Sequence, residues 1–160
     1  MLFESDLKMS KKTFMTPSLI QGDIFIDSRG TLSFINDYDF EGIKRFYMIQ
    51  NHQQGFVRAW HGHKIESKVF YCVEGTFRIG LVPMPAEDEK NTHLVEPQYF
   101  FLDSRKPQIL IVPPGYANGT QNLSQSGTLM VFSNKSLSES KLDDYRFSHD
   151  YWGDWTIESS

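Results

Sequence analysis

From Asp23 onward the chain is written in short runs of β-branched and aromatic residues, each broken by turn chemistry. The runs are DIFID (23–27), TLSFIND (31–37), IKRFYMIQ (43–50), FVRAWHGH (56–63), KVFYCV (68–73), TFRIGLV (76–82), HLVEPQYFFL (93–102), QILIVPP (108–114) and TLMVF (128–132). None sustains the 3.6-residue period of an amphipathic helix, and their close spacing predicts an antiparallel sandwich or barrel. A jelly-roll barrel fits the count. Ser28-Arg29-Gly30, Glu74-Gly75 and Pro113-Pro114-Gly115 supply the turns. The stretch PMPAEDEKNT (83–92), charged and carrying two prolines, reads as an exposed loop. After Ser136 the pattern changes to a polar, helical-looking start and then an aromatic tail with Trp152 and Trp155. Such residues, which join apolar area to a polar handle, suit the mouth of a barrel or a dimer interface.

The 160 residues suffice for one sizeable core. The reading is a single all-β domain at 19–160 with a polar arm at 1–18. A formal net charge of -4 argues against nucleic acid as a partner. The first eighteen residues lack the apolar centre of a secretory signal, and no run approaches the ~20 apolar residues of a membrane span, so a cytoplasmic protein is expected. The single cysteine, Cys72, lies in an apolar run and reads as a buried thiol.

Chemistry concentrates in GFVRAWHGHKIESKVFYCVEG (55–75). Alternation on a strand sends residues i and i+2 to one face, so His61 and His63 are expected to share a wall. Lys68 stands after the short turn IES, and pairing of the two flanking runs is expected to bring its ammonium to that wall. Two bases and a cation in one cleft point to proton transfer.

The same stretch resembles the first cupin motif, G-x5-H-x-H-x(3,4)-E-x6-G, with Lys68 in place of the metal-binding glutamate. Pro113, Gly115, Asn118 and Asn122 resemble the second motif, P-x-G-x2-H-x3-N, with Asn118 in place of its histidine. Two of four expected ligands are replaced, one by a cation that repels a divalent ion. A cupin jelly-roll barrel with neither metal nor other cofactor is therefore expected.

From Gly22 to about Trp155 the chain resembles the deoxysugar cupins, the dTDP-4-dehydrorhamnose 3,5-epimerases and the dTDP-sugar 3,4-ketoisomerases. Asp27-Ser28-Arg29-Gly30 is similar to their D-x-R-G, Gln50-Asn51-His52 to the epimerases' Q-x-N-H-S, Val57 to His61 to V-R-G-L-H, and Gly115 to Gly119 to G-F-A-H-G. Arg58 to Lys64 is equally similar to the ketoisomerases' R-G-F-H-A-H-K. The resemblance implies a nucleotide-diphosphate sugar as substrate, a homodimer, and work in polysaccharide biosynthesis. It implies His61 as base, Lys68 beside the sugar ketone, and Arg29 and Arg58 on the phosphates, with Asn51, Asn118 and Tyr116 as further substrate contacts. Phe132, a further substrate contact on the same alignment, falls on the epimerases' catalytic tyrosine and cannot donate a proton. The replacement acid is left open among His63, Tyr116 and a bound water. The expected activity is epimerisation at C3 of a 4-keto-6-deoxyhexose through an enolate. The alternatives are 3,4-ketoisomerisation of the same substrate class, non-catalytic sugar-nucleotide binding, and a metal-dependent cupin.

Overall fold

The computed structural model describes residues 14–86, 90 and 92–157. Most of the 1–18 arm therefore lies outside the described residues. Twelve strands are present among them: β1 (Ser18–Gln21), β2 (Asp23–Asp27), β3 (Gly30–Phe34), β4 (Arg45–Asn51), β5 (Val57–His63), β6 (Lys68–Glu74), β7 (Thr76–Pro83), β8 (Gln98–Asp103), β9 (Gln108–Val112), β10 (Tyr116–Asn122), β11 (Gly127–Ser133) and β12 (Tyr145–Arg146). One short helix, α1 (Leu137–Lys141), precedes β12. Ser136 caps it: its hydroxyl accepts from the Glu139 amide, and the Glu139 carboxylate accepts from the Ser136 amide.

Every strand pairing is antiparallel. One five-stranded sheet runs β1-β9-β6-β11-β4, a second runs β12-β5-β10-β7-β8, and β2-β3 forms a separate hairpin. The main core lies between the two large sheets. Phe70, Cys72, Leu110, Leu129 and Val131 come from the first, and Phe77, Ile79, Leu81 and Leu102 from the second. This is the cupin jelly roll that the short-run pattern predicts. No described helix is long and apolar enough to cross a membrane.

Two local expectations are corrected, and one strand is found that no apolar run marks. The runs flanking Ile65-Glu66-Ser67 do not pair with each other. β5 and β6 belong to opposite sheets, so Lys68 meets the histidines across the barrel. The YANGTQN segment is a strand, β10, although its small and polar residues interrupt any apolar alternation. The tail does not cap a barrel mouth: Trp152 and Trp155 pack with Trp60 on the outer face of the second sheet.

That seat is made by missing side chains. Gly80 and Gly119 are cross-strand partners on β7 and β10. A Cβ on Gly119 would stand 2.5 Å from Trp155, and one on Gly80 would stand 2.7 Å from Trp60 and 3.0 Å from Trp155. The Trp60 and Trp155 indoles both donate to the His149 carbonyl, at 3.1 and 3.0 Å. Trp152 donates to the Thr92 carbonyl at 2.8 Å, so the end of the 83–92 loop is buried under the tail rather than exposed along its whole length.

Candidate active site

β4 and β6 from one sheet and β5 and β10 from the other enclose a cavity of about 790 Å³, with the β12 residue Arg146 also on its lining. Its polar lining includes Tyr47, Arg58, His61, Lys68, Asn118, Thr120 and Arg146, with Gln50 and His52 also on the wall. On β4 alternation turns Tyr47 and Ile49 inward while Phe46 turns out to solvent, and on β5 Arg58 and His61, three residues apart, share the cavity where the β5–β10 register shifts between Asn118 and Thr120.

His61 lies in the middle of β5, and the Asn118 side chain donates to its backbone carbonyl at 3.1 Å. Burial, with Lys68 and Arg146 nearby, pushes its pKa below the ordinary histidine value, against the opposing pull of Asp144. The imidazole is therefore an unprotonated base near neutral pH. His149 and Asp150, in the tail, have other partners. The His149 carbonyl anchors the tail tryptophans, and Asp150 accepts from Ser148.

Lys68 is 93% buried from solvent by residue area, at the head of β6. Desolvation lowers its pKa to about 8, with Arg45 adding to the effect and Glu66, Asp144 and Asp143 opposing it. It is a cation at pH 7, held in a site where charge is poorly screened.

His63 does not line the cavity. It is buried behind Lys68, whose Nζ lies 2.9 Å from His63 Nε2. Its Nδ1 lies 2.7 Å from the Asp143 carbonyl and 3.0 Å from Glu66 Oε2. The carboxylate of Asp143 accepts from the Lys64, Ile65 and Glu66 amides at 2.9 Å each and so fixes the β5–β6 turn.

Arg58 lines the cavity, its Nε donating to Asn51 Oδ1 at 3.0 Å, so Asn51 reaches the cavity through Arg58. Three other residues lie elsewhere. Arg29 sits at the tip of the β2–β3 hairpin, ion-paired with Asp27 beside a separate depression. Tyr116 packs against the main core. Phe132 faces the outside of the first sheet, against Phe40 and Phe46, which removes it from the substrate-contact set within this chain.

Four site residues escape the motif comparison. Tyr47 is half-buried at the cavity wall, and burial with the Glu66 charge holds its phenol proton up to about 12, against Arg45. The inward register of IKRFYMIQ carries the signal for it. Glu66, in the turn between His63 and Lys68, is a buried carboxylate with four side-chain partners. Burial alone would raise its pKa, but hydrogen bonds from His63 and Ser133 and the charge of Lys68 hold it down to about 2. Thr120 has a buried hydroxyl without a protein partner. Arg146 carries no sequence signal and reaches the cavity because β12 pairs with β5, Arg146 opposite His61. Among the described residues no group of three or more His, Cys, Asp or Glu gathers that could hold a metal ion.

The cupin barrel thus gathers an imidazole, a buried ammonium and a phenol around one cavity. Residues 15–152 match the family described as FdtA: WxcM-like, C-terminal, and the chain belongs to that family. No curated protein matches the chain in sequence. In fold it is similar to the 3,4-ketoisomerase QdtA of Thermoanaerobacterium thermosaccharolyticum, solved as a variant with TDP-4-keto-6-deoxyglucose (22% identity, 88% of this chain and 94% of that one, TM-score 0.64). A 3,4-ketoisomerase of Helicobacter canadensis is similar at 22% identity (87% and 96%, TM-score 0.65). The RmlC epimerase of Mycobacterium tuberculosis is similar at 18% identity (91% and 76%, TM-score 0.71).

Proposed function

We propose that the protein is an isomerase of a nucleotide-linked 4-keto-6-deoxyhexose that moves the ketone between C4 and C3. The observation that carries this reading is the placement of His61 and Tyr47 on opposing sheets of one cavity that Lys68 also lines. His61 takes the C3 proton, the step for which an imidazole free near neutral pH is suited. Charge then develops on the C4 oxygen, where the Lys68 ammonium stabilises it. The O3 proton passes to O4, and C4 receives a proton to give the 3-ketone. Tyr47 keeps its proton until that stage and serves as the donor or as the relay between the oxygens. Arg58 and Arg146 bind the diphosphate, a pairing suited to guanidinium forks.

Similarity in fold extends to enzymes of both activities, the two ketoisomerases and the mycobacterial epimerase. Epimerisation at C3 is the second reading, supported by the higher TM-score to that epimerase and by titratable groups on both walls.

Proton NMR in deuterium oxide with TDP-4-keto-6-deoxyglucose tests both. Ketone transfer gives a product whose carbonyl sits at C3. A carbonyl retained at C4 with inverted C3 couplings and deuterium at C3 makes the protein an epimerase. Binding without any label refutes catalysis and leaves a sugar-nucleotide binder. His61→Asn is expected to slow C3 exchange by about 10³-fold.

The working unit is proposed to be a homodimer. Phe25, Ile26 and Leu32 on the β2–β3 hairpin and Phe46 and Met48 on β4 are large apolar side chains left in solvent by one chain, a surface that association would cover.

A further inference from the structure

The carboxylate of Glu66 takes no part in the steps above, yet four elements converge on it. Its side chain has no solvent exposure. Arg45 Nη2 from β4 donates to it at 3.2 Å, Ser140 Oγ from α1 at 2.8 Å, and Ser133 Oγ from β11 in a short hydrogen bond. His63 Nδ1 from β5 lies 3.0 Å away. A carboxylate with donors on every side stays ionised inside a protein.

The hydrogen bonds also assign the histidine's tautomer. His63 Nδ1 faces only acceptors, Glu66 Oε2 at 3.0 Å and the Asp143 carbonyl at 2.7 Å, so Nδ1 holds the proton. Nε2 is then a bare lone pair. Lys68 Nζ, 2.9 Å away, can only donate to it.

We propose that Glu66 is a positioning residue: acting through the Nδ1–H tautomer of His63, it holds Lys68 Nζ in place as the cavity's ammonium. The other charged groups around Lys68 divide. Arg45 on β4, facing it from the same sheet, opposes its protonation, and Asp143 and Asp144, from the segment after α1, favour it. Of the groups that favour it, Glu66 acts most strongly. Without Glu66, Arg45 loses its counter-charge and His63 Nδ1 keeps only the Asp143 carbonyl as partner. The catalytic meaning of the arrangement rests on the isomerase reading given above. The arrangement itself is measurable without any sugar.

The first test uses the unaltered protein with ¹⁵N-labelled histidine. Two-bond ¹H–¹⁵N spectra are expected to show His63 protonated at Nδ1 and bare at Nε2; a proton on Nε2 overturns the proposal. The second follows the Lys68 ¹³Cε resonance against pH in wild type, Glu66→Gln and Glu66→Asp. The midpoint is expected to fall by about one pH unit in E66Q and to stay closer to wild type in E66D. An unchanged midpoint in folded E66Q overturns the proposal. Should E66Q not fold, the tautomer measurement decides alone. The third reads C3 deuterium exchange against pH, where the alkaline limb of E66Q is expected to move down with the Lys68 midpoint. Absence of exchange in wild type refutes the isomerase reading and leaves the first two results to stand or fall on their own.

Discussion

His61 and Lys68 place two titrations on either side of neutrality. His61 becomes a base below the ordinary histidine pKa, and Lys68 stops being a cation near pH 8. The kcat/KM of the proposed reaction is therefore expected to rise on the acid side, plateau near pH 7 and fall above about pH 8. Lys68→Met should remove the alkaline limb and lower the rate by about 10²-fold. The same lysine affects folding. Its folded pKa lies below its ordinary value of 10.5, so between about 8 and 10.5 the unfolded chain binds more protons. Stability should rise with pH across that window, by at most about 3 kcal/mol. Urea unfolding of wild type and K68M at pH 7 and 10 checks the sign: only wild type should gain from this source. His61 and Lys68 are legible in the sequence because spacing alone puts them on inward-facing strand positions. His63 is legible as a neighbour but not as a residue behind Lys68, since strand alternation gives a face and no depth. Phe132 illustrates the opposite failure. The alignment gives it a site position, and the strand's register turns it away, while Tyr47, two residues beyond Arg45 on the partner strand, turns inward.

At the scale of elements, the nine apolar runs all contain strands, because β-branched and aromatic alternation is a local signal. β10 has no such signal. Its inward positions include Asn118 and Thr120, and its outward Gly119 exists to receive an indole. Its backbone is paired by β5 and β7 on either side, information that no single segment contains. The tail is the matching half. Gly119→Ala is expected to cost about 1–3 kcal/mol by overpacking, and shortening the neighbour in Gly119→Ala/Trp155→Leu should recover part of the coupling. Thermal melts of the single and double variants measure this; strict additivity would mean the indole does not press on Gly119.

At the scale of the molecule, the decisive step is the closure of two sheets. It sets Lys68 of β6 against His63 of β5, residues five apart in sequence that a hairpin would have left side by side on one surface. Association belongs to this scale too. Light scattering coupled to size exclusion is expected to return twice the mass of the 18.6 kDa chain, and Phe25→Asp/Leu32→Asp to return the single mass. A wild-type monomer would leave the exposed hairpin residues unexplained by self-association. The tail's position on the back of the second sheet has one more consequence. All three tryptophans of the chain, Trp60, Trp152 and Trp155, sit in one cluster, with Trp60 ring centroids 5.4 and 5.0 Å from the other two. Trp60 is the residue next to His61, on the opposite face of the same strand. The protein's entire indole emission, and the circular-dichroism couplet of such closely spaced rings, therefore originate one peptide bond from the base. Ligand entry on one side of β5 has an optical reporter built into the other.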